Sequence, residues 1–493
     1  MHDGIINIKA CTEVFSLCEA SGVKLWAEGE KLRYQAPKNA LTKNLIEKIK
    51  ESKNDIIFYL QKLDALCGSA EALPLTPIQS AYYMGRREDY ELGNVNAHYY
   101  MEAEYGEIDC DRFQSAVNTV IQHQDALRNV ILPNGLQLIQ ERVPEYSVPV
   151  HVFQSEQERE ESREAWSHHK YPYGVWPMFD IHISSVQSCD WHLHISFDCM
   201  ILDAWSLLMM LHNLMEVYQG KDVTWPNYSF RQYCLEESSY RENKKEQSLQ
   251  AEAYWSRRAP EMPPSPQLPY CKNLFEIKSP RFFRLHSYLS KEDTRILYER
   301  AKQYRLTPAA VICTAYMKTL SEFSTEQSLS INITLYNRLP LHRDVTRVLG
   351  DFTNNALASY EGEGQTFLEE VKLTQAQFWT LVKYKDYHGV DLIKKLSRSQ
   401  PGKAVMPVVF TGVLQGLKSE LNYFPEGMRE IYCISQTPQV VLDYQATDFS
   451  GRLSVNWDYV TEAFTEKQIQ AMYQSHLALL KAIIQTNDWN MSI

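Results

Sequence analysis

The chain has 493 residues, 44% hydrophobic and 23% charged, a length for two or three domains and a balance that buries substantial cores. Its 50 basic and 61 acidic side chains leave a net charge of −11, which argues against a nucleic-acid surface and for a soluble protein. No stretch approaches the roughly 18 apolar residues of a membrane span, and MHDGIINIKACTEVF lacks the basic and apolar regions of a secretion signal. Ten cysteines without a CxxC pair read as reduced thiols of a cytoplasmic protein, neither a disulfide framework nor a zinc site.

The first 63 residues read as a separate unit. Apolar positions in Ile6–Leu17 recur at helical spacing, interrupted by Asn7, Lys9 and Thr12. In GVKLWAEGEKLRYQAP, Val23, Leu25 and Ala27 and then Leu32 and Tyr34 recur at every second position around Glu28-Gly29-Glu30, mostly between charged residues, a hairpin signal. Leu41–Lys50 and Asn54–Leu63 predict two short helices, and Asp64–Ala72 (DALCGSAEA) a linker.

From Leu73 onward no repeat or low-complexity tract occurs, and Pro260–Pro269, with five prolines in ten residues, is the one strong punctuation. Such a run cannot be helix interior or central strand. It predicts an extended crossing between a half at 73–259 and a half at 260–493. In the first, Trp191–Phe197 predicts a strand and Ala204–Tyr218 a helix; in the second, Ser328–Leu335 and Val405–Phe410 predict strands, Pro308–Leu320 and Glu466–Ile484 helices. The fold class is α/β (α+β): two mixed lobes with a cleft between them, plus the small N-terminal α/β unit.

Three groups of residues could carry chemistry. Asp198 and Asp203 bracket an apolar run at a strand-to-helix junction, with Ser206 one turn on. They read either as an acid/base pair or as a capped helix start with both carboxylates tied to buried arginines. Asn337-Arg338 ends a strand; Arg338 suits a bidentate pair with one aspartate, and a plain strand-to-loop transition is the alternative. Gly350-Asp351-Phe-Thr353, Pro407–Gly412 (PVVFTG) and Ser435–Asp443 each set a hydroxyl or carboxylate at or near the end of a strand-like run. Asp443, after Val440–Leu442, would be a carboxylate in apolar surroundings, with a pKa raised by desolvation. Singly, each also fits a solvated strand end. No GxSxG, Walker loop or HExxH occurs. His168-His169 reads as surface, and His192 and His194, alternating on one strand, lack a nearby third ligand, so no metal site is assigned.

Taken in order, these segments resemble the cyclization subfamily of nonribosomal peptide synthetase condensation domains: Leu73–Arg86 (LPLTPIQSAYYMGR), His123–Gln137, Asp198–Ser206 as DxxxxDxxS, Leu306–Leu320, GDFT at Gly350, PVVFTG at Pro407 and QTPQVVLD at Gln436, with Asn456-Trp-Asp458 downstream. Ordinary condensation domains carry HHxxxDG where this chain has Asp198 and no histidine pair. Gly412 stands where the family more often has Ser, and Gln124-Asp125 fill the HxxxLR core. The N-terminal unit resembles TubC-type docking domains.

The resemblance implies two chloramphenicol-acetyltransferase-like lobes in a V-shaped pseudo-dimer with a central tunnel. Phosphopantetheine arms of upstream and downstream carrier domains would enter it; no cofactor is bound directly. The reaction implied is condensation of an acyl or peptidyl thioester with carrier-bound Cys, Ser or Thr, then cyclodehydration to thiazoline or oxazoline. Asp443, Thr411 and Asn337 are the implied catalytic residues, and Asp198, Asp203, Ser206 and Arg338 organise the site. Gln439, Asp351 and Thr353 would line the substrate tunnel, and Lys24, Lys31 and Arg33 would receive the acidic C-terminal tail of the preceding subunit. A downstream adenylation domain is the expected neighbour, the chain being read as a piece of a longer subunit. An ordinary condensation domain, a non-catalytic docking module and a free-standing acyltransferase are the alternatives.

Overall fold

A computed structural model of the chain describes residues 11–490 apart from 12, 16, 19–20, 68–70, 188, 363, 365, 399–401, 415–424, 426, 449–450 and 487. Of the first expected helix, only residues 11, 13–15 and 17 fall among the described residues; they are helical, as is residue 18 just beyond it. The hairpin forms as strands Lys24–Glu28 and Lys31–Gln35, turning on Gly29 in the left-handed region at φ 58°. Helices Lys43–Glu51 and Lys53–Leu66 follow. The second runs into the segment read as linker, so Asp64–Leu66 are helical. Cys11, Val14, Cys18, Val23, Leu45 and Ile56 form this unit's own apolar cluster. At the end of its last helix, Leu63 packs instead into the cluster of the next unit.

A five-stranded sheet in the order Arg429–Gln436, His98–Glu104, Cys189–Asp198, Phe179–Val186 and Val150–Phe153 organises the first half. The helices Cys110–His123 and Ala204–Tyr218 contribute Phe113, Val117, Val120, Leu211 and Leu214 to its core. A six-stranded sheet organises the second half, in the order Phe282–Tyr288, Ser454–Val460, Leu442–Thr447, Val408–Val413, Leu329–Tyr336 and Thr353–Tyr360. The three middle strands, Leu442–Thr447, Val408–Val413 and Leu329–Tyr336, run parallel. Under this sheet, Tyr316 of helix Pro308–Phe323 and His476 of helix Glu466–Gln485 pack with Phe410, Tyr444 and Trp457. Pro260–Pro269 begins as a short 3-10 turn, Ala259–Glu261, and continues without regular structure.

The strand Arg429–Gln436 belongs to the second half by sequence yet completes the first half's sheet, pairing with His98–Glu104. The chain leaves that sheet at Gln436 and enters the other at Leu442. The run Val440–Leu442, expected as strand, is therefore mostly the crossing, and Asp443 stands at the start of a strand rather than its end. The expected strand Val405–Phe410 likewise begins three residues later, at Val408, after Pro407.

Candidate active site

The six-stranded sheet turns one face toward the first half, and strand alternation decides what that face shows. Along Leu329–Tyr336 it presents Asn332, Thr334 and Tyr336; along Thr353–Tyr360, Thr353 and Asn355; along Val408–Val413, Val409, Thr411 and Val413; along Leu442–Thr447, Asp443, Gln445 and Thr447. All line one cavity of about 580 Å³. Tyr82, Phe197, Cys199, Leu207 and Leu208 of the first half form the opposite wall. The floor thus carries polar side chains from four neighbouring strands, with Val409 and Val413 flanking Thr411, and the opposite wall is largely apolar.

Thr411 and Asp443 meet on this floor: the hydroxyl donates to Asp443 Oδ1 at 3.3 Å and shares a 2.8 Å hydrogen bond with Thr334 Oγ1. Gln445 Nε2 donates to the other carboxylate oxygen at 3.0 Å. Burial, and next the charge of Asp458, push the Asp443 carboxyl up to about 6, opposed by the Gln445 donor, Arg284 and Thr411. A carboxyl so placed exchanges protons near neutral pH, as a general acid or base must.

Asp203 caps helix Ala204–Tyr218, accepting from Ser206 N at 2.6 Å. Its other oxygen accepts from Phe352 N at 3.2 Å, and its own N–H donates to Gly350 O. Arg338 Nη2 lies 3.3 Å from Asp203 Oδ1 and donates to Ser206 Oγ at 2.8 Å, while its guanidinium stacks on Phe352. Ser206 Oγ also bonds both N and O of Gly350. The Gly350–Thr353 loop of the second half is thereby latched to a helix start in the first. Gly350 is required there, since a Cβ would stand 2.3 Å from the Phe230 ring. Gln124, one of the departures inside the second motif, adds to the latch by bonding Leu349 N and Arg347 O.

Asp198 is fully buried, accepting from Met200 N at 3.0 Å, with Arg86 Nη1 3.6 Å away. Of the expected tunnel residues, Gln439 and Thr353 line the cavity, Gln439 on a left-handed backbone at φ 62°. Asp351 is not among the lining residues; it is buried, and burial with the charge of Asp203 raises its carboxyl to about 8. Asn337, just past the strand's end at Tyr336, is buried and is not among the residues that line the cavity. His168, expected at the surface, is half-buried, its Nε2 3.2 Å from Phe282 O. His194 bonds Tyr100 and Ser184, and His192 faces Glu102. Lys24, Lys31 and Arg33 are exposed on the hairpin, Arg33 beside Glu28 at 2.6 Å. Thr334, Gln445, Arg284 and Tyr82 were not singled out from the sequence as site residues. Counting by twos from Thr411 and Asp443 and along Leu329–Tyr336 finds the first two; nothing local marks the others.

Comparison with known proteins places this geometry. A family model described as Condensation domain matches residues 69–492, and one described as TubC N-terminal docking domain matches 12–62. Pyochelin synthetase PchF of Pseudomonas aeruginosa is 30% identical over 493 residues, covering 96% of this chain and 27% of that protein. Phenyloxazoline synthase MbtB of Mycolicibacterium paratuberculosis is 31% identical over 434 residues, 85% of this chain and 36% of that one. The chain thus spans about a third or less of these curated relatives' length. The crystallised EpoB cyclization-docking bidomain from Sorangium cellulosum superposes with a TM-score of 0.77 at 28% identity, covering 98% of this chain and 99% of that one.

Proposed function

The chain belongs to the condensation-domain family, as a heterocyclization domain with the two-lobed chloramphenicol-acetyltransferase-like fold behind a TubC-type docking domain, and from that premise we propose how it works. The cavity between the lobes is the reaction chamber, a tunnel reached by two carrier-borne phosphopantetheine arms. The amine of carrier-bound Cys, Ser or Thr attacks the upstream thioester, forming an amide and releasing the donor arm's thiol. The acceptor's own thiol or hydroxyl then adds to the amide carbonyl, and the carbonyl oxygen leaves as water, carrying the thiol or hydroxyl proton and the amide N–H proton as the C=N bond forms, giving thiazoline or oxazoline. Holding both reactants on tethers in one chamber contributes up to about 7–11 kcal/mol of proximity.

The second stage carries the difficulty, because an amide is a poor electrophile and hydroxide a poor leaving group. Asp443 takes the proton from the attacking thiol or hydroxyl and returns it to the departing oxygen, and Thr411 holds one of its oxygens. Such a shuttle is worth about a hundred- to ten-thousand-fold. The observation that carries the reading is the Thr411–Asp443 pair itself, on the cavity floor with the carboxyl raised to about 6. Asp198, Asp203, Ser206 and Arg338 act as organisers.

In the same reading the units are a docking domain at 1–63, a linker at 64–72 and lobes at 73–259 and 260–493. The hairpin bearing Lys24, Lys31 and Arg33 takes the acidic tail of a preceding subunit as an added strand, in a cytoplasmic assembly with carrier and adenylation domains. Asp443→Ala, given loaded carrier proteins, should accumulate the linear amide and fail to release the product lighter by one water. Heterocycle forming at the wild-type rate, read by mass, removes the assignment.

A further inference from the structure

One line of side chains crosses the six-stranded sheet beside the proposed shuttle. Arg284 stands opposite Asp458, and Asp458 opposite Asp443, in successive antiparallel pairings, so all three project from the same face. Arg284 and Asp458 are buried and joined by a two-pronged ion pair, 2.6 Å at Nε and 2.5 Å at Nη2. Arg284 Nη2 also donates to Gln445 Oε1 at 2.7 Å. That contact fixes which end of the amide faces which way: with its oxygen held by Arg284, Gln445 turns its N–H₂ to Asp443 Oδ2 at 3.0 Å. Ser435 N donates to Asp458 at 2.9 Å and anchors the pair from the neighbouring sheet.

We propose that Arg284 and Asp458 are positioning residues for ring closure: the ion pair orients the Gln445 amide, and Gln445 in turn holds the Asp443 carboxylate and sets the pH at which it exchanges its proton. A fully buried ion pair is weak evidence of stabilisation, since desolvation offsets most of its attraction, whereas fixing an amide's orientation needs a group with no acceptor, which arginine supplies. The charged and titratable groups around Asp443 are Asp458 and Arg284 on adjoining strands, Tyr82 and Cys199 across the cavity and Tyr336 on the same floor, with Asp203, Lys394, Arg398 and Lys403 elsewhere in the cavity lining and Tyr316 on the helix behind the sheet. Burial pushes the tyrosines and the thiol up, so they are neutral near pH 7, and the charges that act on Asp443 are those of the ion pair.

The inference rests on Asp443 being the shuttle, and its test separates the two claims. Carrier-bound linear N-acyl-cysteinyl, -seryl and -threonyl thioesters are supplied and single-turnover ring closure is followed across pH. Gln445→Leu removes a donor that favours the ionised carboxyl, so the midpoint of the pH profile should rise by about one unit. Asp458→Asn removes a neighbouring negative charge and leaves Arg284 in place, so the midpoint should fall by a similar amount. Arg284→Lys keeps a cation against Asp458 but frees the amide oxygen, and should move the midpoint upward; it decides the matter if Asp458→Asn does not fold. A merely structural role would lower rates without moving midpoints in opposite directions. Midpoints of Gln445→Leu and Arg284→Lys that stay at the wild-type value overturn the inference while leaving the shuttle intact. An Asp443→Asn variant that still cyclizes at the wild-type rate overturns the shuttle itself.

Discussion

Removing Asp203 tests whether the latch between the halves rests on one carboxylate. That side chain serves Ser206 N at 2.6 Å, Phe352 N at 3.2 Å and Arg338 at 3.3 Å, and it is almost wholly buried. In Asp203→Ala the lost helix cap costs about 1 kcal/mol. The larger cost is the Arg338 guanidinium, 9% exposed and left without its counter-charge, for which breaking a buried pair costs about 3–5 kcal/mol. Denaturation in urea, compared at a shared slope, should show a loss in that range. The double variant Asp203→Ala/Arg338→Met removes the stranded charge and should recover a good part of it, though not all, because Arg338 also donates to Val345 O and Val348 O. Both amide and heterocycle formation should fall together in the single variant, since the latch shapes the whole chamber. A single variant within about 1 kcal/mol of wild type, or a double variant no more stable than the single, refutes the reasoning.

Asp443→Asn should separate stability from chemistry. Its carboxyl is raised from 3.8 to about 6, so its contribution is fully present below the unfolded value and is lost as pH rises through the folded one. Relative to the Asn variant, the wild type should lose about 1.4 kcal/mol between pH 5 and 8, read from urea midpoints. Gly350→Ala pushes a methyl against Phe230 and should cost about 1–3 kcal/mol, whereas Gly106→Ala, with nothing within 4 Å, should be silent in the same assay. Reversing Lys24 and Lys31 to Glu should weaken an acidic tail peptide about tenfold at low ionic strength and flatten its salt dependence, measured by calorimetry, with the thermal midpoint unchanged.

Local chemistry made most elements legible in the sequence. Helix Ala204–Tyr218 was readable because Asp203 marks its cap, and Pro308–Phe323 was expected from Pro308, a residue that suits a first helical turn. The hairpin followed from alternation around Gly29. The crossing from Gln436 to Leu442 was not readable, since a run such as Val440–Leu442 has the same composition whether it is paired or passing between sheets. The site divides the same way. Thr411 and Asp443 were identified from motifs, but their meeting depends on a parallel pairing 32 residues apart. Asn337 was read beside that pair, but where it stands relative to the cavity depends on where the strand ends, at Tyr336, which composition does not mark. Arg284 lies 174 residues from Asp458, and no spacing rule connects them.

The strand Arg429–Gln436 has a practical consequence for anyone dividing this molecule. A fragment ending before it would leave His98–Glu104 as a raw sheet margin with its backbone groups unmet, a template for self-association. It would also strip the first half of Gln436, whose amide reaches Ser167 O. The halves are therefore sewn rather than juxtaposed, and relative motion between them must pivot about the stitch on either side of that strand.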